Sequence, residues 1–153
     1  MDYAFPYRLE SINLLQKAIA ANPNDRNAHY LLGTLLASKG RLDEALEFFT
    51  KSNLLGLNYD VLHHNIAEIH WQQAQDLKKA AYFFERAYKL NPKNWQNFEK
   101  LDRIYKELGL NKKRLELYKS LPAEMKARDR VRIGHVMFGT DKYAEFLKTL
   151  TEN

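Results

Sequence analysis

The 153 residues are 45% hydrophobic and include no cysteine, which supports one domain with a buried core and excludes disulfide scaffolds, zinc ribbons and thiol catalysis. No apolar run approaches the ~20 residues of a membrane span, and the N-terminus MDYAFPYRLE lacks the apolar segment of a signal peptide, so the cytoplasm is slightly favoured and the compartment stays open. The net charge of +5 is uneven, because residues 1–76 carry 6 Lys and Arg against 9 Asp and Glu, whereas residues 77–153 carry 18 against 10.

Helical signals run through the whole chain. Apolar residues recur at spacings of three and four, and no alternating strand pattern occurs. The tetrapeptide NPND at 22–25 is typical of a helix end followed by a cap, and NPKN at 91–94 almost repeats it. Gly40 marks another helix end. Short links between the segments predict antiparallel neighbours. The predicted helices are 7–21, 26–38, 42–54, 60–74, 77–90, 94–108, 111–120, 124–137 and 140–150.

These breaks recur at a nearly fixed period. Ala45 and Ala80 are 35 positions apart, and Pro23 and Pro92 are 69 apart, close to two periods. With Leu32, Gly33 and Phe49, this pattern resembles the tetratricopeptide repeat, a helix–turn–helix unit of about 34 residues. The resemblance implies an all-α, right-handed solenoid of antiparallel helix pairs. It implies packing positions at Leu32, Gly33, Ala45, Phe49, Ala80, Phe84, Ala87, Pro92, Gly134 and Ala144.

The resemblance covers the chain with decreasing fidelity, as a single domain over 1–153. Residues 7–23 look like a half repeat, 26–59 and 60–94 like clear repeats, and 95–122 and 124–150 like divergent ones. Ser52 and Leu57 stand where the family prefers Ala and Pro. The second repeat has an extra residue near 72–75, and Asp102 replaces a small residue.

The run DYAFPYRLES followed by repeats is also similar to a family of long bacterial proteins. In that family a β-rich domain of unknown function precedes tetratricopeptide repeats, sometimes in carbohydrate-utilisation settings. The first predicted helix lacks its partner helix, which would leave an apolar face uncovered. The aromatic tail DYAFPY is one candidate to cover this face, but we expect instead that the chain is cut from a larger protein.

The segment VLHHNIAEIHW at 61–71 concentrates three histidines and looks at first like a metal or acid–base site. At ~100° per residue, His63 and His70 share one helix face, and His64, Glu68 and Trp71 share another. A single helix cannot bring both groups onto one ion, and HExxH is absent, so no metal and no cofactor are expected. In the repeat register, His63 and His70 fill packing positions.

The same register implies a concave groove that binds a partner. Its predicted residues include two aromatic anchors, Tyr30 and Trp71, of the kind that dominates binding energies. Asn65 matches one position of the carboxylate clamp of chaperone-binding repeats, but the other positions differ, which disfavours a chaperone tail as the ligand. The predicted partner-binding residues are Tyr30, Thr34, His64, Asn65, Glu68, Trp71, Gln72, Glu99, Arg103 and Lys106.

The predicted function is therefore a non-catalytic scaffold that binds a protein or peptide, or an adjacent domain of the same chain. No P-loop, G-x-S-x-G or Rossmann fingerprint is present, and no enzyme activity or membrane association is expected. One alternative is a structural or oligomerisation module of a larger bacterial enzyme. Another is a nucleic-acid-binding solenoid, which the scattered basic residues at 112–114 and 126–132 disfavour because stacking aromatics are not interleaved with them.

Overall fold

A computed structural model describes residues 9–73 and 75–128 of the chain, and all of its regular elements within those ranges are helices. The observed helices agree with the predicted ones within two residues wherever the structure describes their ends. The predicted helix 140–150, and the part of 124–137 beyond Arg128, lie outside the described residues. The helices are α1 (Leu9–Ala21), α2 (Arg26–Ser38), α3 (Leu42–Leu54), α4 (Asp60–Gln72), α5 (Leu77–Leu90), α6 (Trp95–Glu107), α7 (Asn111–Lys119) and α8 (Ala123–Arg128).

Local chemistry explains where these helices start and stop. The side chain of Asp25 accepts hydrogen bonds from the Asn27 and Ala28 amides at the start of α2, both at 3.0 Å, and Asn94 caps α6 in the same way. The repeated NPxN/D sequence thus supplies a cap at both positions. After α2 the chain turns at Gly40, whose φ of 74° favours glycine.

The chain divides into two compact units, unit 1 (Met1–Phe83) and unit 2 (Phe84–Asn153), and the boundary falls within α5. In unit 1, α2 packs against α3, with further contacts of α1 on α2 and α3 on α4. The buried core of unit 1 is formed by apolar side chains from α1 to α4 and from the link between α3 and α4: Ile12, Leu32, Leu35, Leu36, Ala45, Phe49, Leu57 (in the link), Leu62, Ile66 and Ile69.

Unit 2 is built around the pair α6 and α7. Phe84, Phe98 and Ile104 are fully buried there, and Leu101 is almost so. Within the described ranges, none of the helices has the length and apolar character needed to cross a bilayer.

Candidate functional site

The histidine-rich segment of α4 separates into two groups. His63 is fully buried, and its Nε2 lies 3.0 Å from Asn58 Oδ1. Both His63 and His70 stack on the ring of Phe83, with centroid distances of 6.1 and 5.9 Å. This is the packing role that the sequence predicts for these two residues. Across 9–73 and 75–128, the structure contains no group of three His, Asp or Glu side chains that could hold a metal ion.

On the other face of α4, three polar side chains form a chain of contacts. His64 Nε2 lies 3.7 Å from Glu68 Oε1, and Gln72 Nε2 donates to Glu68 Oε2 at 2.8 Å. The side chains of His64 and Glu68 are only 18% exposed, so this row is held in a defined position. Such a pre-ordered polar row lowers the entropic cost of binding a partner.

A cleft of about 160 Å³ lies between α2 and α4. The structure brings Thr34, Asn65, Glu68 and Gln72 together at its polar side. Its apolar side is formed by Ala37, Leu42, Phe49 and Ile69. The cleft therefore offers a small apolar pocket beside a row of hydrogen-bonding groups, which is the general make-up of a ligand site.

The two predicted aromatic anchors are not in the lining of this α2–α4 cleft. Tyr30 is half-buried and has ring contacts with Phe49 and Tyr59, both at 6.1 Å. Trp71 is half-buried near the end of α4. Tyr59 itself is 51% exposed and was not among the predicted partner-binding residues, which all lie on helices, because it precedes α4.

The remaining predicted partner-binding residues belong to α6 in unit 2. Trp95 Nε1 donates to Glu99 Oε2 at 3.0 Å, which orients this carboxylate. Arg103 and Lys106 are exposed. Within unit 2, these residues form a polar face of mixed charge on α6.

Unit 2 also contains a larger cleft, of about 320 Å³, that sequence reasoning did not find. Tyr105 and Lys113 both donate to Glu85 Oε1, and the Lys113 ammonium lies 5.3 Å from the centre of the Tyr105 ring. Burial opposes the charge on Glu85, but Lys113 and Tyr105 outweigh it and lower the pKa of this carboxyl. No sequence motif joins residues 28 positions apart, so only the fold reveals this network.

The basic run at 112–114 is largely neutralised within unit 2. Lys113 pairs with Glu85 at 2.8 Å, and Arg114 donates to both carboxylate oxygens of Asp102, at 2.7 and 3.2 Å. Of this run, Lys113 and Arg114 are therefore committed to intrachain ion pairs. This weakens the case for a phosphate-binding stripe, which needs basic groups that face solvent.

Residues 9–52 match the family model described as "Tetratricopeptide repeat". Over these residues the chain has the tetratricopeptide-repeat sequence pattern. No curated protein sequence matches the chain. The fold class that the sequence predicts, an all-α helical-repeat solenoid, is confirmed by the solved structures below.

Three solved structures are similar in fold at low sequence identity. A crystal structure of MamA aligns with a TM-score of 0.70 and 19% identity, covering 99% of this chain and 94% of MamA. The crystal structure of YrrB, described as a TPR protein with an unusual peptide-binding site, aligns with a TM-score of 0.72 and 16% identity. The alignment covers 91% of this chain and 74% of YrrB. The structure of Naa15/Naa10 bound to HypK-THB aligns with a TM-score of 0.64 and 15% identity. The alignment covers 96% of this chain and 23% of the matched chain.

Of the predicted packing positions that the structure describes, all but Pro92 are buried. Phe49 fills the space above Gly33, and Leu32, Ala45, Ala80, Phe84 and Ala87 are fully buried. A Cβ built on Gly33 would lie 2.7 Å from Phe49 Cδ1, so a glycine is required at this close helix contact. Pro92 is half-buried, and Gly134 and Ala144 lie outside the described residues.

Departures from the repeat pattern have physical reasons. The Ser52 hydroxyl is buried and donates to the Arg26 carbonyl oxygen at 2.8 Å, so it satisfies a polar group at the start of α2. The extra residue of the second repeat is absorbed by a turn in which Gln75 has a φ of 48°. Asp102, in place of a small residue, is 1% exposed and pairs with Arg114 of α7.

We expect His70 to make unit 1 less stable in acid. Burial, and then the charge of Lys79, lower the pKa of His70, and Asp76 only partly opposes this shift. The folded state disfavours the charged imidazole, so neutral His70 contributes stability above its unfolded pKa of about 6.5. That contribution is lost as the pH falls through the lowered pKa of His70 in the folded state. In urea unfolding, His70→Phe should lose less stability than the wild type between about pH 7 and pH 5. Equal losses in the two proteins would contradict this expectation.

Proposed function

We propose that the chain is a non-catalytic protein–protein interaction scaffold that binds a peptide, a helix or a neighbouring domain against α2 and α4. The observation that supports this best is the α2–α4 cleft, which brings together Thr34, Asn65, Glu68 and Gln72, four of the residues that the repeat register predicts for partner binding. The repeat fold holds both helices rigidly, so the groove is formed before the partner arrives.

The chemistry of the cleft suits a polypeptide. Asn65 is half-buried and makes no hydrogen bond through its side chain to any described residue. Its amide can both donate and accept, as a peptide backbone requires. The neighbouring apolar wall of Leu42, Phe49 and Ile69 can receive one side chain of the ligand.

The fold neighbours support a protein or peptide as the ligand class. YrrB is described as a TPR protein with a peptide-binding site, and Naa15/Naa10 is described as bound to HypK-THB. In unit 2, Glu99, Arg103 and Lys106 remain predicted partner-binding residues on α6.

The test is selection from a displayed peptide library, followed by affinity measurement on the enriched peptides. Asn65→Ala should weaken binding by about tenfold, since it removes hydrogen bonds worth about 1–3 kcal/mol in a partly buried site. Trp71→Ala and Tyr30→Ala should also weaken it, because the repeat register predicts that these two rings, on α4 and α2 outside the cleft lining, contact the partner, and aromatic rings are typical hot spots. Circular dichroism should show unchanged helicity in each variant.

Gln73→Ala is the matched control, because it removes an exposed amide that does not line the cleft. It should leave the affinity unchanged. Enriched peptides that bind Asn65→Ala and Trp71→Ala as tightly as the wild type would contradict the proposal.

A further inference from the structure

The cleft of unit 2, called here the α5–α7 cleft, has an apolar floor and charged walls. Leu101 and Leu117 contribute to its apolar lining. The other lining residues, from α5 to Ser120, are Glu85, Tyr88, Lys89, Tyr105, Lys113, Glu116 and Ser120. Its volume of about 320 Å³ has room for apolar side chains, but not for a whole helix.

The cleft has four charged side chains: two form an ion pair with each other, and the other two, Lys89 and Glu116, face solvent. Glu85 is neutralised by Lys113 at 2.8 Å. Lys89, on the α5 wall, and Glu116, on the α7 wall, are exposed and form no ion pair with any residue in the described part of the chain. A partner that fits this cleft should therefore offer apolar side chains together with one acidic and one basic group.

Unit 1 presents a helix surface with that composition. Leu46 and the 76%-exposed Leu54 lie along one side of α3, two turns apart, and Glu47 and Lys51 are one turn apart between them. Neither Glu47 nor Lys51 forms an ion pair with a described residue. We call this surface the α3 stripe: Asp43, Leu46, Glu47, Thr50, Lys51 and Leu54.

We propose that the α3 stripe of one copy docks on the α5–α7 cleft of a second copy. Glu47 then meets Lys89, Lys51 meets Glu116, and a leucine of the stripe enters the cleft above Leu117. The overall charges are favourable, because residues 84–153 carry 16 Lys and Arg against 10 Asp and Glu, whereas residues 1–83 carry 8 against 9.

This contact is head-to-tail, because the two surfaces that meet are different. In a pair of copies, one copy keeps a free cleft and the other keeps a free stripe. Further copies can therefore add to both ends, which gives a closed ring or an open chain. A contact made by one helix stripe is small, and its affinity should be correspondingly modest. The proposed peptide groove on α2 and α4 uses other residues, so the two proposals can fail separately.

Sedimentation equilibrium of the full chain over a wide concentration range tests the contact. The weight-average mass of the wild type should rise above the monomer mass of 18.0 kDa as concentration increases. Glu47→Lys and Lys89→Glu should each weaken association by about tenfold or more, because like charges then face each other. Lys39→Glu, an exposed charge reversal outside both surfaces, should have no effect.

Two combinations of these variants make the test specific. The double variant Glu47→Lys/Lys89→Glu restores the charge pair with its sign reversed and should associate again. An equimolar mixture of the two single variants should associate with the two variants in alternation, because both stripe–cleft pairings between unlike variants join opposite charges, whereas both pairings between like variants join like charges. A wild type that stays monomeric at every concentration, or a double variant that is not rescued, would overturn the proposal.

Discussion

Arg114→Leu should lower the free energy of unfolding of unit 2 by about 3–5 kcal/mol, because it leaves a buried carboxylate without its counter-charge. The Asp102 side chain is 2% exposed and that of Arg114 is 13% exposed, and the guanidinium donates to both carboxylate oxygens. Chemical denaturation followed by Trp95 fluorescence, in a Trp71→Phe background that removes the other tryptophan, measures this loss.

The pH dependence of this variant has a definite sign. Burial already raises the pKa of Asp102 in the folded chain, against the opposing effect of Arg114. Without Arg114 the pKa should rise further, so the folded state binds a proton more readily than the unfolded state. The stability contributed by the protonated group is lost as pH rises through the folded pKa. The defect of Arg114→Leu should therefore shrink as pH is lowered toward about 4.

A double variant separates the ion pair from simple packing. Asp102→Leu/Arg114→Leu removes both charges and should cost clearly less than Arg114→Leu alone, since apolar residues often replace a buried pair at little cost. A double variant as unstable as the single one would show that the pair is not the cause.

Phe49→Ala should destabilise unit 1 by about 3–5 kcal/mol, the usual cost of removing a fully buried aromatic ring. Phe49 is 0% exposed and lies at the contact of α2 with α3. Gly33→Ala in the wild type should cost about 1–3 kcal/mol by overpacking, because the new Cβ would lie 2.7 Å from the Phe49 ring.

The two changes should not add. In a Phe49→Ala background the ring is gone, so Gly33→Ala should be neutral or stabilising, since alanine is favoured over glycine within a helix by about 1 kcal/mol. Urea unfolding of the four proteins of this cycle gives the coupling energy. Additive costs would contradict the close contact between Gly33 and Phe49.

Sequence periodicity was sufficient to predict the helices and to place the histidines of α4 on two different faces. The bounds of α2, α3 and α5 were predicted to the residue, because prolines, glycines and caps fix them locally. The two faces of α4 followed from helical geometry alone. The repeat register also selected four residues that line the α2–α4 cleft.

Long-range polar partners could not be predicted in the same way. The network of Glu85, Tyr105 and Lys113 depends on how α5, α6 and α7 pack, which no local pattern specifies. The charged residue at position 102, where the family has a small one, was a usable signal that a partner is needed. It could not identify Arg114, because several cations lie at suitable distances along the chain.

We propose that the surface formed by α2 and α4 binds a polypeptide. An NMR titration with the tightest library-selected peptide tests it most directly. The proposal predicts that the largest shift changes occur at Thr34, Asn65, Glu68 and Gln72 and saturate together. Saturable changes that cluster on α3 or on α7, with these four residues unmoved, would contradict it.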